Sequence, residues 1–385
     1  MFSFLKININ PERIYGLDIL RASAILFVVL GHGYDLYPDV FSDIIPIFML
    51  DGVSIFFVLS GFLIGRILIK LMTTQALSIK LLFHFWIRRW TRTLPNYFLV
   101  LILLIIINSF VSDNFKIWDI RSLFYFSQNL FSHDIYFFAE AWSISIEEWF
   151  YFLIPLAIFF FTLLFRLPAK KVILVISILT LLIITYLRLN RFYDSPAPIS
   201  IDHWDLAYRK QVFMRLDTLM YGVIGAYVFT YFQSHWLKYK RVLFVIGLSV
   251  IIYQHYLTSY HVYDFGIYHC VFSFSVDAFG TLLLLPFLSS IKSGRGFVYK
   301  SITYISLISY SMYLINYCLI KEWIIVKIPW EELSGNELVL DLLKSTAFLG
   351  LTIIFSILLY KYFELPMMKI RDHKLVKRLI RNKTT

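Results

Sequence analysis

Long apolar runs, broken by short basic or aromatic stretches, set the pattern of this chain. Continuous runs recur at Tyr97–Phe110, Phe150–Phe165, Val172–Leu187, Val242–Tyr253 and Phe348–Leu359. Their polar and apolar positions do not alternate, which excludes the strands of a membrane β-barrel. A bilayer crossing needs about 20 apolar residues in a helix. On that measure the pattern predicts ten spans, near residues 17–36, 46–65, 95–112, 145–165, 172–187, 216–233, 242–257, 267–290, 303–322 and 345–362. The expected fold class is all-α, a polytopic membrane protein of about ten transmembrane helices. Residues 1–385 are expected to form a single transmembrane domain, with a basic tail from about residue 367. Met1–Arg13 lacks the basic, apolar and small-residue order of a cleavable leader.

The first span is not purely apolar. It carries Arg21 and His32 within Leu17–His32. A charge in a span is costly and marks a candidate functional site. Eleven helical steps of about 100° return to within roughly 20°, so both residues share one helix face. They lie about 16 Å apart along the axis. One face thus presents a fixed cation at one depth and a titratable imidazole at another.

Composition agrees with the pattern: 59% of residues are hydrophobic, against about 45–50% in soluble domains. The net charge of +11 matters less than its distribution. Outside the expected spans, about 25 Lys and Arg fall on one side and about ten on the other. The positive-inside rule then puts both termini in the cytoplasm. Basic residues spread over short loops are no nucleic-acid surface. Cys270 and Cys318 lie in apolar spans, with neither a disulfide framework nor metal-ligand spacing.

Several polar groups have two readings each. Arg88, Arg89 and Arg92 precede Pro95 at the inner entrance of the third span. Guanidinium forks there could hold phosphate or simply anchor the topology. Trp142, Ser143, Ser145, Glu147 and Glu148 open the fourth span; Ser143 or Ser145 could cap that helix. Capping does not require two adjacent carboxylates. Arg215 and Asp217 sit at the outer edge of a span, as an anchor or a site. Ser309-Tyr310-Ser311 forms a polar strip that suits helix packing, and Pro366 after Glu364 is expected to stop the last helix. Asp18, three residues before Arg21, is expected to pair with it, and Asp51 to do structural work at the outer end of the second span. The outer stretch with Asp202, His203, Trp204, Asp205, Arg209 and Lys210 suits a sugar, a headgroup or an aromatic belt.

Taken in order, these motifs resemble the acyltransferase-3 family of membrane O-acyltransferases. Arg21 to His32 matches its Arg/Lys-x10-His motif, and Arg89-Trp90-Thr91-Arg92 its RxxR motif. Asp51 to Phe62 matches its second-helix block, and Trp142-Ser143 through Glu147-Glu148 to Phe150-Tyr151 its WSLSVEExFY block. Arg215-Leu216-Asp217, Ser309 to Leu314 and Glu364-Leu365-Pro366 also fall in place. The resemblance spans nearly the whole chain. It is to the stand-alone form, since no SGNH-type domain follows. One departure is Asn316, where many members carry His.

The resemblance implies a cytoplasmic acyl-CoA donor, acetyl-CoA first, no metal, and a hydroxyl acceptor on a cell-envelope or exported glycan. The location it implies is the bacterial inner membrane. Arg88, Arg89 and Arg92 then face the phosphates of CoA. Arg21 would steer the donor or stabilise an oxyanion, and His32 would act as general base or as an acyl relay. Glu147, Glu148 or Asp217 could support His32 only through tertiary folding. Trp142, Ser143, Tyr310 and Glu364 are expected to support the site. The competing classes are a transporter or flippase, which also uses buried Arg, His and Glu, and a non-catalytic partner of a polysaccharide assembly.

Overall fold

The computed structural model describes residues 13–74, 77–130, 137–195, 198, 200–260 and 265–371. Among them there is no β-strand. The main helices are α1 (Tyr15–His32), α2 (Gly52–Thr74), α3 (Ile79–Val111), α4 (Ala141–Phe165) and α5 (Ala169–Asp194). They are followed by α6 (Leu216–Tyr231), α7 (Lys240–Tyr260), α8 (Ser273–Leu288), α9 (Gly296–Ile315) and α10 (Glu337–Leu359). Among the described residues, nine helical stretches are long and apolar enough to cross a bilayer. The protein is an integral membrane protein of the all-α class.

The sixth expected span, α6, is not among these nine; it has only 16 residues, about 24 Å of helix against a core near 30 Å. It nevertheless runs from one end of the bundle to the other. Arg215 at its start donates to Ser54 Oγ at the start of α2 (2.6 Å). Trp236 just beyond its end donates to Ser289 Oγ after α8 (3.0 Å). Shielded by other helices, α6 need not match the lipid thickness. It packs backbone to backbone on α2: a Cβ on Gly222 would sit 2.1 Å from the Val58 carbonyl oxygen, and one on Gly61 1.9 Å from that of Leu219. Small residues at such crossings are how membrane helices gain contact.

Helix ends depart from the sequence reading in three places. The third span does not start at Pro95; α3 begins at Ile79, where Ser78 Oγ accepts from Leu81 N. Pro95 lies inside it, a break that neighbouring helices make tolerable in a bilayer. Neither Ser143 nor Ser145 caps α4, which already starts at Ala141. Both hydroxyls instead bond back to carbonyls of the preceding turn. Nor does Pro366 end the last helix. A π turn at Tyr360–Glu364 precedes it and the helix continues over Leu365–Arg371. In the first turn after that shift, a missing N–H costs little. Parts of two stretches read from the sequence, residues 196–197 of the outer loop and 372–385 of the basic tail, lie outside the described residues.

Candidate active site

Two cavities open inside the bundle. A narrow one of about 140 Å³ is lined by Arg21, Ser60, Arg89, Arg92, Glu147 and Glu148, among others. A wider one of about 680 Å³ is lined by His32, Asp51, Trp142, Asp205, Arg209 and Tyr317, among others. Tyr313 and Val53 line both, so they form the wall between them. Helix α1 serves both, with Arg21 in one and His32 in the other.

In the narrow cavity α3 and α4 bring opposite charges together. Arg89 Nη2 donates to Glu147 Oε2 (3.3 Å) and to the Tyr151 hydroxyl, and its guanidinium lies 4.1 Å from the centre of the Tyr151 ring. Tyr151 also donates to Glu147 Oε2 (2.6 Å), and Ser60 Oγ to Glu147 Oε1 (3.0 Å). Glu147 is therefore the counter-ion of Arg89 and does not line the cavity of His32. Arg21 and Arg92 enter the same narrow cavity, and neither has a hydrogen bond or ion pair among the described residues. Guanidiniums gathered without a direct ion pair, with Asp18 and Glu364 acting on them only from a distance, favour an anion there. Arg88 is exposed and is not in this lining. One helical step turns it about 100° from Arg89, whereas Arg92 at i+3 returns to the same face. The expected pairing of Asp18 with Arg21 is also replaced: Asp18 accepts from Arg13 and from Ser306 Oγ.

Beneath this cavity, polar bonds tie α3 to α4, α9 and the end of the last helix. Thr93 Oγ1 donates to Glu148 Oε1 (2.8 Å), and Tyr310 OH to the Thr93 carbonyl (2.7 Å). Glu364 Oε2 accepts from Asn96 Nδ2 (2.9 Å) and Ser311 Oγ (2.7 Å). These groups hold the arginine-bearing turn of α3 in place.

In the wide cavity, His32 Nδ1 lies 2.6 Å from Asn316 Oδ1. Asn316 Nδ2 already donates to the carbonyls of Met312 (2.8 Å) and Tyr313 (2.9 Å). Turning the amide over would set its oxygen against two carbonyl oxygens. The Asn316 oxygen must therefore accept, and Nδ1 of His32 must carry the proton. In the neutral ring this leaves Nε2 with a free lone pair. No carboxylate of the described residues bonds His32, so Glu147, Glu148 and Asp217 do not support it as the sequence reading allowed.

Around His32 the wall is polar. Where the two cavities adjoin, Ser143 Oγ of the narrow cavity lies 2.6 Å from the OH of the shared Tyr313. The Arg209 guanidinium lies 5.1 Å from the centre of the Trp142 ring. Asp51 caps α2, accepting from Val53 N, Ser54 N and Ser54 Oγ (3.1, 3.1 and 2.6 Å). It also faces Arg209 and Arg215, each at 3.9 Å. Asp205 accepts from Arg209 (2.8 Å) and pairs with Lys210 (2.5 Å). Burial opposes the charge of Asp205, but these two cations outweigh it and hold its pKa below the usual carboxylate value.

Arg215 and Asp217 are not a surface anchor. Both are fully buried, and they pair with other helices. Asp217 takes a buried salt bridge from Arg188 of α5, and Ser275 Oγ donates to it (3.1 Å). The sequence reading placed Arg188 in an outer loop; its only local signal is a charge at the end of an apolar run. Tyr313 lies inside the Ser309 to Leu314 block without an assigned role, and Glu140 lies just ahead of the block that begins at Trp142. Glu140 Oε1 accepts from the backbone N–H of Tyr317 and Cys318 (3.2 and 3.0 Å), where α9 passes into a π helix.

The fold and this two-cavity site define a polytopic helical membrane protein with charged and polar groups gathered inside its bundle, and comparison with known proteins gives its family. The acyltransferase-3 family model, described as an acyltransferase domain, matches residues 14–361. The chain belongs to that family. It is similar to O-acetyltransferase OatA of Staphylococcus aureus (strain NCTC 8325 / PS 47), 29% identical over 264 residues, covering 65% of this chain and 40% of that protein. It is also similar to peptidoglycan O-acetyltransferase OatA of Listeria monocytogenes, 35% identical over 119 residues, 27% of this chain and 19% of that protein. A putative O-acetyltransferase of S. aureus (strain COL) is 32% identical over 235 residues, 57% of this chain and 35% of that protein. The match thus spans about two fifths or less of these relatives' length. No solved structure matches significantly.

Proposed function

We propose that this protein is a membrane O-acyltransferase. It moves an acyl group, acetyl first, from cytoplasmic acyl-CoA to a hydroxyl of a cell-envelope or exported glycan. The relatives named as O-acetyltransferases support the acetyl group, and the one named for peptidoglycan supports a glycan acceptor. The observation that carries the reading is the division of labour across Tyr313. Arg21 and Arg92, without a direct ion pair among the described residues, occupy one cavity, and an imidazole with a free Nε2 occupies the other.

Both termini then lie in the cytoplasm and the bilayer is the bacterial inner membrane, as the basic loops favour. The donor enters at the arginine side. Arg92 and Arg21 attract its phosphates, and Arg89, held by Glu147, shapes that path. The acceptor hydroxyl meets His32, whose Nε2 takes its proton as the oxygen attacks the thioester carbonyl carbon. The C–O bond forms, the C–S bond breaks, and the CoA thiolate leaves toward the arginine side, to be protonated there. Arg21 lies about 16 Å from His32 along α1. A group stabilising the oxyanion must stand about 3 Å from its oxygen, so Arg21 serves the donor and not the oxyanion.

The test is labelled acetyl transfer from acetyl-CoA, in membranes carrying the wild type or His32→Ala, to a pool of cell-surface glycans. Label on glycan with the wild type alone supports the reading and names the acceptor. Equal labelling, with both proteins folded and several acyl-CoAs tried, would return the weight to transport.

A further inference from the structure

Two polar side chains in the wide cavity take no part in the chemistry above. Gln254 of α7 is buried, and its Oε1 accepts from the Tyr268 hydroxyl. That bond fixes the amide with its NH2 group forward, and this Nε2 has no partner. Asp277 of α8 lines the same cavity and has no hydrogen bond or ion pair among the described residues. An amide donor in an apolar helix and a carboxylate with no hydrogen bond or direct ion pair, Arg215 and Arg209 acting on it only from a distance, are each costly unless something satisfies them. Apolar side chains at both positions would pack this helix pair more cheaply.

The two groups are complementary to one kind of partner. A sugar hydroxyl both accepts and donates, so it can take a hydrogen from an amide N–H and give one to a carboxylate. Neighbouring hydroxyls on one ring can satisfy both groups at once. A phosphate or carboxylate ligand would instead be repelled by Asp277. The indole of Trp142 lines the same cavity.

We propose that Gln254 and Asp277 form an acceptor subsite for a polyhydroxyl carbohydrate, holding its ring while another of its hydroxyls meets His32. This deepens the transferase reading and rests on it for the role, though not for the binding.

The experiment uses the full chain in nanodiscs with acetyl-CoA and two acceptors. One is methyl β-glucopyranoside. The other is tetrahydropyran-2-methanol, which has the same ring and a single hydroxyl. Asp277→Asn and Gln254→Met should each lower kcat/KM for the glucoside by about tenfold or more, through KM, as loss of a hydrogen bond to a charged or buried group implies. The single-hydroxyl acceptor and the KM for acetyl-CoA should change by no more than about twofold. Equal losses with both acceptors, or no loss with either, would overturn the subsite. If the wild type acetylates neither, the glycan-labelling test above decides the transferase reading, and saturation-transfer NMR with the glucoside decides the subsite. Glucoside signals seen with the wild type and lost with Asp277→Asn sustain it. Equal signals in both, or none with the wild type, discard it.

Discussion

At the scale of single residues the site is a pair of constraints on one imidazole and three guanidiniums. Asn316 sets the tautomer of His32 because its own two N–H bonds are committed to helix carbonyls. Asn316→Leu should therefore lower kcat by about 100-fold, within the usual range for a general base, while leaving the KM for acetyl-CoA unchanged. Asn316→Asp keeps an acceptor for His32 but sets its second oxygen against the carbonyls of Met312 and Tyr313, so it should recover only part of the activity; steady-state kinetics on the purified pair checks both. For the donor, Arg92→Lys preserves the charge but loses the planar fork. Its KM for acetyl-CoA should rise several-fold with kcat and acceptor KM little changed, whereas Arg88→Lys, on the exposed face, should behave as wild type. A rise with Arg88→Lys equal to that with Arg92→Lys would mean that the cluster acts only as diffuse charge.

Between elements, stability concentrates where backbones touch and where charges are buried. Gly222 permits the contact of α6 with α2, so Gly222→Val should cost about 1–3 kcal/mol or more by overpacking. It should lower the yield of monodisperse protein in detergent. The Arg188–Asp217 pair joins α5 to α6 with both side chains fully buried. Removing one partner strands the other charge, at about 3–5 kcal/mol. Asp217→Ala should accordingly lower the thermal midpoint in detergent markedly, while the double change Arg188→Met with Asp217→Ala should recover part of the loss. No recovery in the double variant would show that the two residues act separately.

The whole molecule is two-ended. The arginine cavity and the imidazole cavity meet at Tyr313, and in the proposed transfer a small acyl group would cross there while donor and acceptor stay on their own sides. The short α6 is needed for this, since without its crossing the later helices would present their loops to the wrong faces. Cysteine labelling tests the arrangement in a Cys270→Ser, Cys318→Ser background. Lys171→Cys and Lys292→Cys should react only after the inner face is opened, and His203→Cys should react in intact cells. Labelling of Lys171→Cys and Lys292→Cys from opposite faces would remove α6 from the count of crossings.

The sequence by itself determined the class of the protein: the apolar runs give the spans, and the eleven helical steps from Arg21 to His32 put them on one helix face whatever surrounds them. It also isolated the arginine cluster and the carboxylates of α4, because charge in an apolar run is a local signal. Which of those charges met was decided by tertiary structure alone. Asn316 reaches His32 across 284 residues of sequence, Arg89 takes Glu147 from α4, and Arg88 turns outward. Gln254 and Asp277 come together only because α7 packs on α8. Periodicity reports the direction a side chain leaves its own helix. It holds nothing about which neighbour stands there, since helix pairing in a bilayer is set by small-residue contacts and buried polar bonds between distant segments.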